Sequence, residues 1–170
     1  MATPVIWTVG HSTHPAEALV SLLQQHRIEV LADVRSQPYS RHNPQFRRDN
    51  LRASLEEAQI RYVFLGAELG GRPPEPEFYD PKGHVRYDLV AGTERFQAGL
   101  DRLVTGAARY RVAIMCSEED PARCHRRLLV TRALTGRGAD VRHIRGDGRV
   151  ESEASLGPEP AHPGQAPLFG

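Results

Sequence analysis

Apolar and polar positions along this chain switch between two periods. Short apolar runs occur at Val5-Ile6-Trp7-Thr8-Val9, Val30-Leu31-Ala32-Asp33-Val34, Tyr62-Val63-Phe64-Leu65, Arg111-Val112-Ala113-Ile114-Met115 and Val141-Arg142-His143-Ile144. Each has the length and composition of a buried strand. Between them the spacing is helical. Pro15 opens a helix on Ala18, Leu19, Leu22, Leu23 and His26. A short one spans Asp49 to Ala58 with Leu51 and Leu55 inward. Thr93 starts one on Phe96, Leu100, Leu103, Val104 and Ala107. Asp120-Pro121 reads as a cap with a first-turn proline, for a helix running to about Gly136. Strands alternating with helices predict an α/β fold, a three-layer sandwich. Its mostly parallel, Rossmann-like sheet has about five strands, with helices on both faces. Right-handed crossovers then bring the carboxyl ends of the parallel strands to one rim, where ligands of such sheets bind.

Two stretches break the rhythm. Residues 66–92 form a long segment rich in Gly, Pro and aromatic residues, without periodicity, of the kind that is usually functional or mobile. Residues 146–167 contain no apolar run and predict a disordered tail. The organisation expected is therefore one α/β domain over residues 1–145 and a tail over 146–170.

Composition narrows the class. With 170 residues, 39% hydrophobic and 25% charged, the chain suits one soluble globular domain. No apolar run approaches membrane-spanning length, and the start does not read as a signal peptide. A formal charge of +1 excludes a strongly basic nucleic-acid coat but not a local basic patch. Lys82 is the single lysine, so the 22 basic residues include 21 arginines, each a potential bidentate anion donor. Two cysteines are too few for a disulfide scaffold and fit a reducing cytoplasm.

Polar groups collect where the strands end. The first strand leads into His11, Ser12 and Thr13, the second ends on Asp33 and leads to Arg35 and Ser40, and the fourth leads into Cys116, Ser117 and Glu118. Cys124, His125 and Arg126 open the last helix. Their convergence on one rim is the main argument for a site. A thiolate at Cys116 would be a nucleophile, although a free cysteine is more often a small buried hydrophobe. Cys124, in a first helical turn, would have a lowered pKa. A disulfide between the two cysteines, or a metal held with His125 or His11, is also compatible with the spacing. No cofactor is expected, and the metal is the minority reading. Arg126 continues the apolar stripe of Leu129, Val130, Ala133 and Leu134, so it faces the core and needs a partner: Asp33, Glu118, or a phosphate or carboxylate ligand. Asp33 and Arg35 share one side of the second strand and would neutralise each other. His11 and Glu118 are acid–base candidates. Arg35, Arg41, Arg47, Arg48 and Arg52, around His42, Pro44 and Phe46, suit phosphates flanked by a stacked base, or simply a solvated loop. Tyr79, with Phe78 and Tyr87, either lines a pocket or pins the long loop.

Taken together, Thr8-Val9-Gly10-His11-Ser12-Thr13, Asp33-Val34-Arg35 with Pro38 and Ser40, Leu69-Gly70-Gly71, Met115-Cys116-Ser117-Glu118 with Pro121, Cys124-His125-Arg126, and His143-Ile144 resemble the motifs of the domain-of-unknown-function family 488. The resemblance covers roughly residues 5–145. It implies an α/β domain with the two cysteines, the histidine and the arginines around one pocket, and no settled substrate. In addition, Gln165-Ala166-Pro167-Leu168-Phe169 resembles the peptide by which bacterial repair and replication proteins dock on the DNA sliding clamp, with Ala166 where leucine is usual. Gln165, Leu168 and Phe169 would make that contact.

The leading expectation is a cytoplasmic enzyme acting on a phosphate-containing substrate, a nucleotide or nucleic acid, in a setting such as DNA repair. Cys116, Glu118, His11 and Asp33 are its catalytic candidates. Ser12, Arg35, Ser40, Cys124, His125, Arg126 and Tyr79 are candidates for binding substrate or anion. The alternatives are a thiol redox or sulfur-transfer protein using Cys116 and Cys124, and a non-catalytic nucleic-acid-binding module.

Overall fold

The computed structural model describes residues 3–157. Its sheet has six strands: β1 (Val5–Gly10), β2 (Val30–Asp33), β3 (Arg61–Phe64), β4 (Val112–Cys116), β5 (Asp140–Ile144) and β6 (Val150–Ser152), in the order β3-β2-β4-β1-β5-β6. β1 to β5 are parallel, and β6 pairs antiparallel with β5 at the edge. The fold is α/β, as the alternating pattern predicts.

Burial on both faces explains the near-continuous apolar runs. One face buries Ile6, Val30, Ala32, Val112, Ile114 and Val141 against α5 (Glu94–Ala107) and the last helical segment. The other buries Trp7, Val9, Leu31, Ala113 and Met115 against α1 (Ala16–Gln25) and α2 (Arg48–Glu57). Thr93 caps α5 as its sequence suggests, its hydroxyl accepting from the Phe96 amide at 3.2 Å.

Residues 66–92 contain more regular structure than their sequence implies. α3 (Gly66–Leu69), a 3₁₀ turn at Pro76–Phe78 and α4 (Tyr87–Ala91) follow one another. These pieces are too short to show a period. Their apolar contacts, Leu69, Val85 and Val90, drop singly into the core.

Two expectations need correction. The last helix does not run unbroken from Asp120. Asp120 caps a 3₁₀ turn, Pro121–Arg123, and the chain is then extended at Cys124 (φ −133°, ψ 145°). A π-helical stretch, Arg126–Thr131, leads directly into α6 (Arg132–Gly136). The stretch 146–157, expected to be disordered, is also ordered. β6 and a 3₁₀ turn at Glu153–Ser155 pack on the domain, held by polar contacts that carry no hydrophobic signal. Arg127 grips Glu153 at 3.0 Å and donates to the Gly157 carbonyl at 2.7 Å, while Glu153 accepts from His143 Nε2 at 2.6 Å. The clamp-like residues Gln165, Leu168 and Phe169 lie outside the described residues.

The strand register sets up the rim. Gly10 lies beside Cys116, and Asp33 beside Met115. The ladder continues past the strands, with the His11 and Ser12 amides donating to the Cys116 and Ser117 carbonyls, both at 2.9 Å. A Cβ on Gly10 would lie 1.7 Å from the Glu118 carbonyl oxygen, so only glycine admits the loop after β4 this close. Gly10→Ala should therefore destabilise the fold by about 3 kcal/mol or more. Urea unfolding would measure it, and a loss under about 1 kcal/mol would show that the loop is not held against β1.

Candidate functional site

Two adjoining cavities open at the carboxyl-end rim. The larger, about 700 Å³, is lined by His11, Arg35, Tyr39, Ser40, Arg72, Cys116, Glu118, Arg123, Cys124 and His125, among others. The smaller, about 490 Å³, shares His11, Ser40, Glu118 and Arg123 and adds Ser12 and Asp120. Most of the candidate residues are thus brought together around one opening. The exceptions are Asp33, Arg126 and Tyr79.

Asp33 stands behind the wall rather than in it. Fully buried, it takes both Arg35 Nε (2.9 Å) and Nη2 (2.8 Å), and accepts from the Tyr62 hydroxyl at 2.6 Å. Burial and the Asp33 carboxylate together push the Tyr62 pKa up. The carboxylate is therefore saturated and orients Arg35. The third guanidinium nitrogen of Arg35, Nη1, is buried without a hydrogen-bond partner in the protein. A buried donor without an acceptor is rare and costly. Arg35 itself lines the larger cavity.

Of the two protein partners expected for Arg126, Asp33 is not met, and Glu118 is met through its main-chain carbonyl and not its carboxylate. Arg126 is fully buried, has no carboxylate partner among the described residues, and keeps its Nε without any partner. Its Nη2 donates to the carbonyls of Glu118 (3.1 Å) and Glu119 (2.7 Å), and Nη1 to the Thr8 hydroxyl (3.3 Å). It does not line either cavity, so it fixes the loop after β4 from beneath. Burial pulls its pKa down to about 9, which still leaves it charged at neutral pH. Tyr79 is likewise a brace, its hydroxyl donating to the Pro73 carbonyl at 2.7 Å.

The two cysteines face one another. Cys116 at the end of β4 and Cys124 in the extended link are joined by a disulfide, and both are buried on the cavity wall. Cys124 occupies the cap position of the following helix, not its first turn. Its carbonyl accepts from the Arg127 and Leu128 amides at 3.1 Å, and the Arg126 amide points at its sulfur at 3.5 Å. His125 Nε2 donates to the Val34 carbonyl at 2.8 Å, which leaves Nδ1 as an acceptor 3.7 Å from the Cys124 sulfur. A Cβ on Gly71 would lie 2.7 Å from His125 Cγ, so the Leu69-Gly70-Gly71 segment packs directly on this ring.

His11 is 2% exposed and stacks on Phe46, ring centroids 4.5 Å apart. Its Nδ1 donates to the Ser12 carbonyl at 2.8 Å, and its Nε2 is buried without a partner. Ser12 carries a positive φ of 50°, in the left-handed region that a non-glycine residue adopts at a cost, often beside functional sites. Glu118 is exposed on the rim of both cavities rather than desolvated. Neighbouring Glu119 is paired with Arg145 (2.9 and 3.0 Å) and held down to about pH 2 by it. Among the described residues, no group of three or more His, Cys, Asp or Glu side chains is arranged to hold a metal ion.

Sequence reasoning missed Tyr39, Arg72 and Arg123 in the larger cavity. Tyr39 lies between the noted Pro38 and Ser40, Arg72 inside the long segment 66–92, and Arg123 in the 3₁₀ turn Pro121–Arg123, but none of the three stands at a strand end or in a periodic pattern. It also missed the buried line Arg126–Thr8–His143–Glu153–Arg127, whose members are scattered over four elements.

Fold and rim define a parallel α/β protein with a polar, arginine-lined pocket beside a cysteine pair. The chain belongs to the family described as Domain of unknown function DUF488, whose model matches residues 15–133. No curated protein and no solved structure matches it.

Burial holds His11 and His125 near pKa 4, below the ordinary 6.5, so both are neutral in the native protein at pH 7. The unfolded chain takes up their protons first as pH falls. Their contribution to stability is therefore complete above about pH 6.5 and is lost between pH 6.5 and 4, on the order of 3 kcal/mol for each at most. Denaturant unfolding at pH 7 and pH 4.5 should show a marked loss that shrinks in His11→Asn. Equal stability at the two pH values would contradict the burial of these rings.

Proposed function

We propose that this protein is a thiol-dependent enzyme acting on a small phosphate-bearing substrate held in the rim cavity. The observation that carries this reading is the buried, unpartnered Nη1 of Arg35, a residue that lines the same cavity as both cysteines. A tetrahedral oxyanion supplies the missing acceptor. Arg72 and Arg123, both exposed and unengaged in ion pairs among the described residues, add positive charge against the single carboxylate of Glu118.

The reacting thiol is Cys124, when the pair is reduced. The helix-start Arg126 amide, 3.5 Å from its sulfur, favours its thiolate. Cys116 lies instead 3.8 Å from the Glu118 carbonyl, where a thiol donates and stays protonated. The Cys124 thiolate attacks the phosphorus, forming a sulfur–phosphorus bond as the phosphorus–oxygen ester bond breaks. The departing oxygen takes a proton from water. A second water then hydrolyses the thiophosphate, releasing inorganic phosphate and the free thiolate. The neutral His11, with Nε2 unprotonated, is the group that takes the proton of this second water.

The closed sulfur pair favours a second reading, a thiol redox protein. Closing the pair removes two electrons and two protons from the thiols, which an oxidised substrate must accept. Both readings require a reactive thiol, and only the first requires an anion beside it.

Alkylation of the reduced protein tests this. Relative to free cysteine, iodoacetate should gain on iodoacetamide by about tenfold because the cavity concentrates anions, and the gain should fall with salt. Peptide mapping should place the label on Cys124, and Cys124→Ser should abolish it. A reactive thiol without preference for the anion would leave only the redox reading, and two slow thiols would overturn both.

A further inference from the structure

Tyr39 is the most exposed large hydrophobic side chain among the described residues, at 57%. It follows Pro38 in the loop between β2 and the 3₁₀ turn Pro44–Phe46, and it lines the larger cavity. The ring is nevertheless fixed. The Arg47 guanidinium lies 4.6 Å from its centroid, and Arg47 Nη2 donates to its hydroxyl at 3.2 Å. Arg47 is itself anchored through Nε to the Ser40 carbonyl at 3.3 Å. The Tyr39 amide closes on the Gln37 carbonyl at 2.8 Å.

A braced aromatic ring left to water is costly unless a ligand covers it. Here it shares one cavity with Arg35, whose free Nη1 awaits an acceptor, and with Arg72 and Arg123. The cavity, at about 700 Å³, is of a size that holds a small-molecule ligand. Polar donors for an anion and a flat apolar platform at the mouth are the two recognition elements of a phosphorylated nucleoside.

We propose that Tyr39 is a stacking platform for the base of a free mononucleotide whose phosphate occupies the Arg35 site. This rests on the phosphate reading above and names its substrate class. Arg47, already on the ring, makes it a more rigid platform than a free tyrosine. The ring makes the stacking contact and the hydroxyl only holds Arg47, so the contact does not depend on the hydroxyl.

Calorimetric titration of the full chain with adenosine monophosphate, ribose 5-phosphate and inorganic phosphate tests it. Adenosine monophosphate should bind about tenfold more tightly than ribose 5-phosphate, the usual scale of one base stacked on an aromatic ring. In Tyr39→Ala the two affinities should converge while ribose 5-phosphate is unaffected. Tyr39→Phe should keep the preference within about twofold. Equal binding of the two compounds by the native chain, or a preference that survives Tyr39→Ala, overturns the role of Tyr39 and leaves the phosphate site standing. Failure of all three phosphates to bind removes both. A short single-stranded oligonucleotide binding more than about tenfold tighter than the mononucleotide overturns the assignment to a free nucleotide.

Discussion

A buried guanidinium without a carboxylate holds this rim together. Arg126 lies under the loop after β4 and donates to the Glu118 and Glu119 carbonyls and the Thr8 hydroxyl, while its Nε is buried without a partner. Carbonyls recover only part of the solvation a guanidinium loses, and its pKa falls accordingly. In return the loop cannot move away from β1, to which Gly10 admits it at closest approach. Cys116, Ser117 and Glu118 are positioned by that clamp. The same helix start presents Cys124 and His125 to them, so one short segment sets both sides of the cysteine pair.

A second buried arginine works differently. Arg35 is neutralised by Asp33, which is braced by Tyr62, and the pairing consumes two of its three guanidinium nitrogens. The third, Nη1, is buried without a partner in a side chain that lines the larger cavity. Each of the two arginines keeps one buried nitrogen without a partner, Nε of Arg126 and Nη1 of Arg35, but only Arg35 lines the cavity. Around them His11 and His125 are kept neutral by burial, as an acceptor and a hydrogen-bonded spacer.

Much of this was legible in the chain. The apolar runs locate β1 to β5, and the helical stripes locate α1, α2 and α5, because these elements bury their pattern locally. Convergence of His11, Arg35 and Cys116 follows from parallel strands, and the helix that follows β4 brings Cys124 and His125 to the same rim. β6 was not legible, since Val150–Ser152 is held by the Glu153 contacts to Arg127 and His143, which join distant residues through polar atoms. The contacts of Arg126 were legible only in naming Glu118: side-chain patterns point to carboxylates, whereas its acceptors are the Glu118 and Glu119 main-chain carbonyls and the Thr8 hydroxyl. Tyr39 and Arg123 escaped for a related reason, because loop residues reach the site through turn geometry and not through periodicity.

The central claim is that the free nitrogen of Arg35 is built for an oxyanion beside the cysteine pair. The most direct measurement is a crystal structure of the reduced protein grown with tungstate, a heavy tetrahedral oxyanion. The account predicts an anion bonded to Arg35 Nη1 in the larger cavity, on the side that faces Cys116 and Cys124. An empty cavity with Arg35 Nη1 turned onto a protein acceptor would contradict it.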